Sequence, residues 1–113
     1  MVHPGFIVEF DETQHFTVQR MLALLNYPHD LLLGFYKQEW IERCRTLRKK
    51  DNDPPFRDEQ RAWYDTVRDF APIIVNLKPT VRLFSKDLIW CELNPEGPKD
   101  VELFKLKLFK GQS

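Results

Sequence analysis

The chain has 113 residues, which is enough for one folded domain, and its 42% of hydrophobic residues argue against disorder over most of the length. Seventeen basic and seventeen acidic side chains cancel, and they also balance within each half of the sequence, seven against eight and ten against nine. Nucleic-acid-binding proteins normally carry a basic excess, so the composition disfavours a nucleic-acid partner.

The first half of the sequence predicts one strand followed by two helices. Residues 5–10 alternate apolar side chains between two faces, as a short strand does. A first helix is predicted over 13–26, capped by one of the polar residues 11–13, whose side chains can accept from its free N–H groups. A second helix is predicted over 31–50, because apolar residues recur there at three- and four-residue spacing. Gly34 disfavours helix, which moves the expected start of this helix toward the following residue.

Proline residues divide the middle of the sequence. Two prolines within residues 51–55 predict a loop, and a third helix is predicted over 57–71. We expect its inner side to carry the apolar residues Trp63, Tyr64, Val67, Phe70 and Ala71. Pro72 should end or kink this helix, because proline lacks an N–H donor and its ring clashes with the preceding turn. The apolar run 73–77 fits either a last helical turn or a buried extended segment.

The last third of the sequence changes to the two-residue period of strands. Three strands are predicted, over 80–85, 88–93 and 101–109, with turns at 86–87 and 94–98. The order is then β-α-α-α-β-β-β, with the first strand joining the others. This order predicts an α+β fold in which three helices pack on one face of a small antiparallel sheet. We expect residues 1–113 to form a single domain, with 110–113 frayed.

Catalytic and cofactor motifs are absent from the sequence. The four glycines are scattered, so no phosphate-binding loop or dinucleotide fingerprint occurs. Asp11, Glu12 and His15 come nearest to a metal site, but a bound metal needs three or four well-placed ligands. Cys44 and Cys91 are expected to be reduced, buried thiols that act as small hydrophobic side chains. We therefore predict no metal and no cofactor.

Residues 43–50 contain the one dense group of basic side chains, which includes Arg43, Arg45, Arg48 and Lys49. Cations at the end of a helix offset its exposed carbonyl groups, and this structural role is our first interpretation. One alternative is a nucleic-acid-binding protein or small ribonuclease that uses these four residues. Another is a small enzyme with a pocket between helices and sheet, in which Asp, Glu, His15 or Tyr side chains serve as acid or base.

Aromatic and aliphatic residues are more numerous than one helix stripe and one sheet face can bury. Trp63 and Tyr64 are adjacent and cannot share one narrow stripe, and Leu103 and Phe109 lie on the lysine face of the last predicted strand. Exposed apolar patches often bind proteins. We therefore expect a non-catalytic regulatory or accessory module that binds another protein or a second copy of itself. Its predicted binding residues are Tyr36, Trp63, Leu103, Lys105, Lys107 and Phe109.

The sequence predicts no membrane segment and no secretion signal. No apolar run approaches the roughly 18 residues of a membrane-spanning helix. The N-terminus lacks the basic start and apolar stretch of a signal peptide. We therefore expect a cytoplasmic protein that has no membrane partner.

Overall fold

The computed structural model describes residues 5–87, 97–99, 102 and 106. A short 3-10 turn at Thr13–His15 precedes the first α-helix. The elements in chain order are β1 (Val8–Asp11), α1 (Val18–Leu25), α2 (Lys37–Leu47), α3 (Arg57–Ile74) and β2 (Val81–Phe84). The prediction of a mixed helix-and-sheet protein with three helices before the strand at 80–85 is therefore confirmed. Within the described part of the chain, none of the helices has the length and apolar character needed to cross a bilayer.

The sheet differs from the predicted one. Strands β1 and β2 pair in parallel, with Val8 opposite Val81 and Asp11 opposite Phe84, and they form a two-stranded sheet within the described residues. The predicted antiparallel sheet in the order β-α-α-α-β-β-β is therefore wrong. The three helices that separate the strands form the long crossover that a parallel pair requires, whereas adjacent hairpins would have made the pair antiparallel.

Of the last two predicted strands, the structure describes residues of the second one only, and these residues are helical. The predicted strand 88–93 lies outside the described residues. Within the predicted strand 101–109, Glu102 and Leu106 are helical, as are Pro98 and Lys99 before them. Apolar residues at 101, 104 and 108 also fit helical spacing, so a short apolar run does not distinguish the two periods. Proline is tolerated in the first turn of a helix, where its missing N–H is not needed.

Helix α1 begins later than the predicted residue 13. The side chain of Thr17 accepts a hydrogen bond of 3.0 Å from the backbone N–H of Arg20, which makes Thr17 the cap of α1. Asp11, one of the predicted caps, belongs to β1 and is almost completely buried. Of the predicted caps, Asp11 therefore belongs to the strand and lies in the interior, and Thr13 begins the separate 3-10 turn.

Gly34 lies before α2, at a close approach to the chain that leads into β2. It forms an isolated parallel bridge with Val81. A Cβ atom added at Gly34 would lie 2.8 Å from the carbonyl carbon of Thr80, and closer still to the carbonyl oxygen. Only glycine fits this contact, which holds residue 34 beside the chain that leads into β2. Helix α2 therefore begins after this residue, at Lys37, and not near residue 31.

Helix α3 continues through Pro72 to Ile74, whereas the sequence predicts that it ends or kinks at the proline. Proline at this position has no N–H to donate to the carbonyl of Arg68, four residues earlier. The hydroxyl group of Thr80 donates to that carbonyl instead, at 2.7 Å. Because the acceptor is satisfied from outside the helix, the helix continues for two more residues.

The apolar core lies mainly between α1 and α2. Its buried members are Phe16, Leu24, Tyr27, Phe35, Trp40, Ile41 and Cys44. The ring of Phe16 contacts the rings of Phe84 and Trp40, at centroid distances of 5.0 and 6.0 Å. Cys44 is a buried free thiol, as predicted, and burial raises its pKa to about 11. Cys91 lies outside the described residues.

Replacement of Gly34 by alanine tests the close approach to Thr80. We expect Gly34→Ala to lower the free energy of unfolding by about 1–3 kcal/mol, because the new methyl group overlaps backbone atoms that cannot move independently. Urea denaturation measures the change. The control is Gly5→Ala, whose Cβ would meet no atom within 4 Å. Equal denaturation midpoints for the two variants would show that the contact is not tight.

A double-mutant cycle tests the role of Thr80 in sustaining α3. We expect Thr80→Val to lower the free energy of unfolding by about 1–3 kcal/mol, because it leaves the partly buried carbonyl of Arg68 without a donor. Thr80→Ser retains the hydroxyl group and should retain more of the stability. In a Pro72→Ala background the helix regains its own donor, so Thr80→Val should have a smaller effect there. Equal losses in both backgrounds would contradict the proposed compensation.

Candidate functional site

Helix α3 is amphipathic in the opposite sense to an ordinary surface helix. Its buried side carries Asp58, Asp65 and Asp69, which are almost completely inaccessible to solvent. Its exposed side carries three apolar residues, Trp63, Val67 and Ile74, with 64%, 40% and 77% of their surface accessible. At about 100° per residue, these three lie within about 40° of one another and opposite the buried aspartates. Ordinary surface helices turn their apolar side to the core. We call Trp63, Val67 and Ile74 the outer face of α3.

The buried side of α3 binds the guanidinium group of Arg82 in β2. The Nε of Arg82 donates to Oδ1 of Asp69 at 2.8 Å, and its Nη2 donates to the backbone oxygen of Asp65 at 3.0 Å. Its Nη1 donates to both carboxylate oxygens of Asp11, at 2.9 and 3.0 Å. Burial alone would lower the pKa of Arg82, but the carboxylates of Asp11, Asp69 and Asp65 raise it above its usual value. Arg82 therefore remains charged inside the protein.

A second buried guanidinium, that of Arg20 in α1, completes the arrangement around Asp69. Its Nη2 donates to Oδ2 of Asp69 at 2.7 Å, and its Nη1 donates to the hydroxyl oxygen of Tyr27 at 2.7 Å. The Tyr27 hydroxyl in turn donates to the same oxygen of Asp69 at 2.6 Å. Burial raises the pKa of Tyr27 to about 12, which keeps this hydroxyl protonated.

We call Asp11, Asp65, Asp69, Arg20 and Arg82 the buried charge network. Its members come from β1, α3, α1 and β2, and the indole N–H of Trp40 in α2 also donates to Asp11, at 2.8 Å. Every named element of the fold therefore contacts the network. Such a network is stable only when each charged group is paired and hydrogen-bonded, which these distances satisfy.

His15 lies at the edge of the network. Of the three candidate ligands from the sequence, the structure brings together His15 and Asp11. The Nδ1 of His15 is 2.8 Å from Oδ2 of Asp65 and 3.7 Å from Oδ1 of Asp11, and these three side chains are close enough to hold a metal ion. The same carboxylates already bind Arg82. A metal ion would have to compete with this guanidinium for the same oxygens. We therefore assign the group a structural role and derive no metal chemistry from it.

Asp65 is held in its charged form by its neighbours. Burial by itself would raise the pKa of Asp65, but the hydrogen bond with His15 and the positive charge of Arg82 lower it below its usual value. Asp65 is 50 residues from His15 in the sequence. This separation explains why inspection of the region around His15 could not identify the partner.

The predicted binding residues are only partly described by the structure. Trp63 lies on the outer face of α3, and Tyr36, which precedes α2, is 43% exposed. The other four predicted binding residues lie outside the described residues; they are Leu103, Lys105, Lys107 and Phe109.

The sequence analysis assigned the wrong side of α3 to the interior. It placed Trp63, Tyr64 and Val67 inward, and all three are exposed; it did not name Ile74 as a binding residue. Aspartate at 58, 65 and 69 repeats at helical spacing and marks the other side, but an acidic stripe normally faces solvent. The missing information was the burial of Arg82, which lies between the apolar residues of β2 and attracts Asp65 and Asp69 inward.

The basic residues of the alternative nucleic-acid site mainly contact the protein itself. Arg43 lies between the rings of Trp40 and Phe84, 4.7 Å from each centroid. Arg45 pairs with Glu42, and the Nε of Arg48 donates to the backbone oxygen of Arg45 at 3.0 Å. Arg45, Arg48 and Lys49 are exposed at the C-terminal end of α2. These contacts fit the helix-end interpretation, and nucleic-acid binding stays a prediction.

One depression in the described surface lies beside this helix end. Its volume is about 260 Å³, and its lining residues are Glu42, Arg43, Thr46, Leu47 and Phe84. The lining does not include His15 or the buried charge network. The alternative of a small enzyme that uses His15 therefore gains no pocket here, and it stays a prediction.

Removal of one charge from the network should be strongly destabilising. We expect Asp69→Ala to lower the free energy of unfolding by about 3–5 kcal/mol, because it removes the carboxylate that pairs with buried Arg20 and one of the carboxylates that bind Arg82. Chemical denaturation measures the loss, and Asp69→Asn provides a milder variant if the alanine form does not fold. Asp53→Ala, at an exposed position, is the control. A loss below about 1 kcal/mol for Asp69→Ala would mean that the network is not essential.

The lowered pKa of Asp65 predicts a pH dependence with a defined sign. Its contribution should be fully present above the unfolded-state value of about 4 and should be lost as the pH falls through the lower folded-state value. Urea denaturation at a series of pH values should therefore show that the stability difference between the wild type and Asp65→Asn shrinks in acid. A difference that stays constant from neutral pH into acid would contradict the proposed environment of Asp65.

The structure thus combines a buried charge network with an apolar outer face on the same helix. Within the described residues, these two sides of α3 are the features that bear on function. In comparisons with protein-family models, curated proteins and solved structures, no match to this chain was found.

Proposed function

We propose that the chain is a non-catalytic protein-binding module whose binding surface is the outer face of α3. The observation that supports this proposal most directly is the exposure of Trp63, Val67 and Ile74 on a helix that buries aspartates. Exposed apolar residues scattered singly are common and need no explanation. Here they form one continuous stripe along an 18-residue helix, and a stripe of this kind typically marks an interaction surface.

The free energy gained by burying the side chains of this stripe favours a macromolecular partner. Full burial of a valine, isoleucine or aromatic side chain contributes about 1.5–3 kcal/mol each. Tryptophan is also among the residues that most often dominate the binding energy of protein interfaces. Trp63 is the largest side chain of the outer face, so its burial by a partner would contribute a large share of the binding energy.

The shape of the surface favours a protein over a small molecule. Small ligands bind in concave pockets that enclose most of their surface. The outer face of α3 is the convex side of a helix, and the one depression described above lies at the end of α2. Helical faces of this type pack against another helix or into the groove of a partner. This geometry supports the proposal of a regulatory or accessory module that binds a second protein.

Site-specific photocross-linking in cells tests the proposal. A photoreactive phenylalanine analogue in place of Val67 or Ile74 should form a discrete adduct with another protein or with a second copy of this chain. The same analogue at Gln38, an exposed residue of α2, is the matched control and should give no such adduct. The adduct at position 67 should disappear when Trp63→Glu is added. Without a discrete adduct at either position of the outer face, the proposal would be wrong.

A further inference from the structure

We propose that the outer face of α3 binds the same face of a second copy of this chain, with the two α3 helices antiparallel. This inference rests on the proposed function, because it names the partner of the same surface. The pattern along the helix is its first support. Positions on this side of α3 recur at alternating intervals of four and three residues; they are the N-cap residue Phe56, followed by Gln60, Trp63, Val67, Phe70 and Ile74.

Alternating intervals of four and three are the pattern by which two helices pack along a common seam. The seam is apolar except at Gln60, and one polar residue in such a position can fix the register of a pair. Phe70 lies at the margin of the seam, because its ring packs edge-on against Tyr27 at a centroid distance of 5.1 Å. The remaining apolar positions are exposed and have no partner within the described residues that covers them.

A two-fold axis between Val67 and Phe70 gives complementary contacts. In an antiparallel pair, Trp63 of one copy lies opposite Ile74 of the other, and Val67 lies opposite Phe70. Each large ring then meets a smaller aliphatic side chain. An interface of this kind uses the same surface on both copies and therefore forms a closed dimer, not an open chain. The opposed helix dipoles also favour the antiparallel arrangement.

The exposed area is sufficient for a specific dimer. Phe56, at the N-terminal end of the seam, and Tyr64, beside it, are 74% and 50% exposed. Since an aromatic side chain can bury about 150–250 Å², the apolar area along this side of α3 is on the order of 600 Å² per copy. Two copies would bury about 1,200 Å² together, which is the lower end of the range for specific interfaces.

Charge does not oppose the approach of two copies. The whole chain has a formal net charge of zero. The cations that flank the outer face are already paired with acidic residues. Arg68 Nε is 3.3 Å from an oxygen of Glu9, and Arg57 Nε is 3.5 Å from an oxygen of Asp51. The flanks therefore carry little uncompensated positive charge, and the apolar seam determines the contact.

Sedimentation of the purified full chain over a wide range of concentrations tests the inference. We expect a dimer whose dissociation constant rises at least about tenfold in Val67→Glu and in Trp63→Glu, because each places a charge in the seam. The matched control is Leu32→Glu, which changes an exposed apolar residue outside α3 (68% exposed, against 64% for Trp63) and should leave the dimer intact. All three substitutions are at exposed positions. As a second measurement, the melting temperature should rise with concentration in the wild type and in Leu32→Glu, but not in the α3 variants.

Three results would overturn the inference. They also show whether the proposed binding surface is wrong or only the second copy as its partner. If the purified chain is monomeric at all concentrations while position 67 still cross-links to a different protein in cells, the second copy is wrong and the binding surface stands. A dimer that resists both α3 substitutions would place the self-contact elsewhere. Cross-links from position 67 only to residues 88–113 of the same chain would mean that the chain covers its own helix, and both proposals would fall.

Discussion

The guanidinium group of Arg82 is the interaction on which the arrangement of the other elements depends. It lies in the interior on β2 and donates hydrogen bonds to Asp11 of β1 and to Asp65 and Asp69 of α3. A charge in this position is tolerated only if its partners are held at hydrogen-bonding distance in the correct directions. The network therefore constrains the register of the strands and the rotation of α3, which an apolar core of interchangeable side chains would specify less strictly.

The rotation of α3 links this interior requirement to the surface. Because the aspartates at 58, 65 and 69 share one side of the helix and point inward, the opposite side must face outward whatever its polarity. Trp63, Val67 and Ile74 occupy that opposite side. Their exposure is therefore a consequence of the buried charges, and a partner surface that covered them would complete the burial that the described part of this chain does not provide.

The segment between α3 and β2 shows how closely the chain is packed where it returns to the sheet. Thr80 donates its hydroxyl proton to the carbonyl of Arg68, which Pro72 leaves without a partner. The backbone of Thr80 also passes so near to Gly34 that a methyl group would not fit between them. Contacts with Thr80 thus account for the positions of both residues, Pro72 and Gly34, that disfavour helix. Pro72 is accommodated inside α3, and Gly34 lies in an extended segment beside β2.

Local patterns were enough to predict several elements of this protein. The periodicity of α2 and α3, the loop at 51–55 and the strand at 80–85 all depend on neighbours within a few residues, and the structure confirms them. The parallel pairing, the inward side of α3 and the contact between His15 and Asp65 depend on groups far apart in the chain, so no local pattern contains them. The same spacing of apolar and acidic residues fits either orientation of α3. The choice follows from Arg82, because the buried guanidinium would be left with an uncompensated charge if Asp65 and Asp69 pointed to solvent.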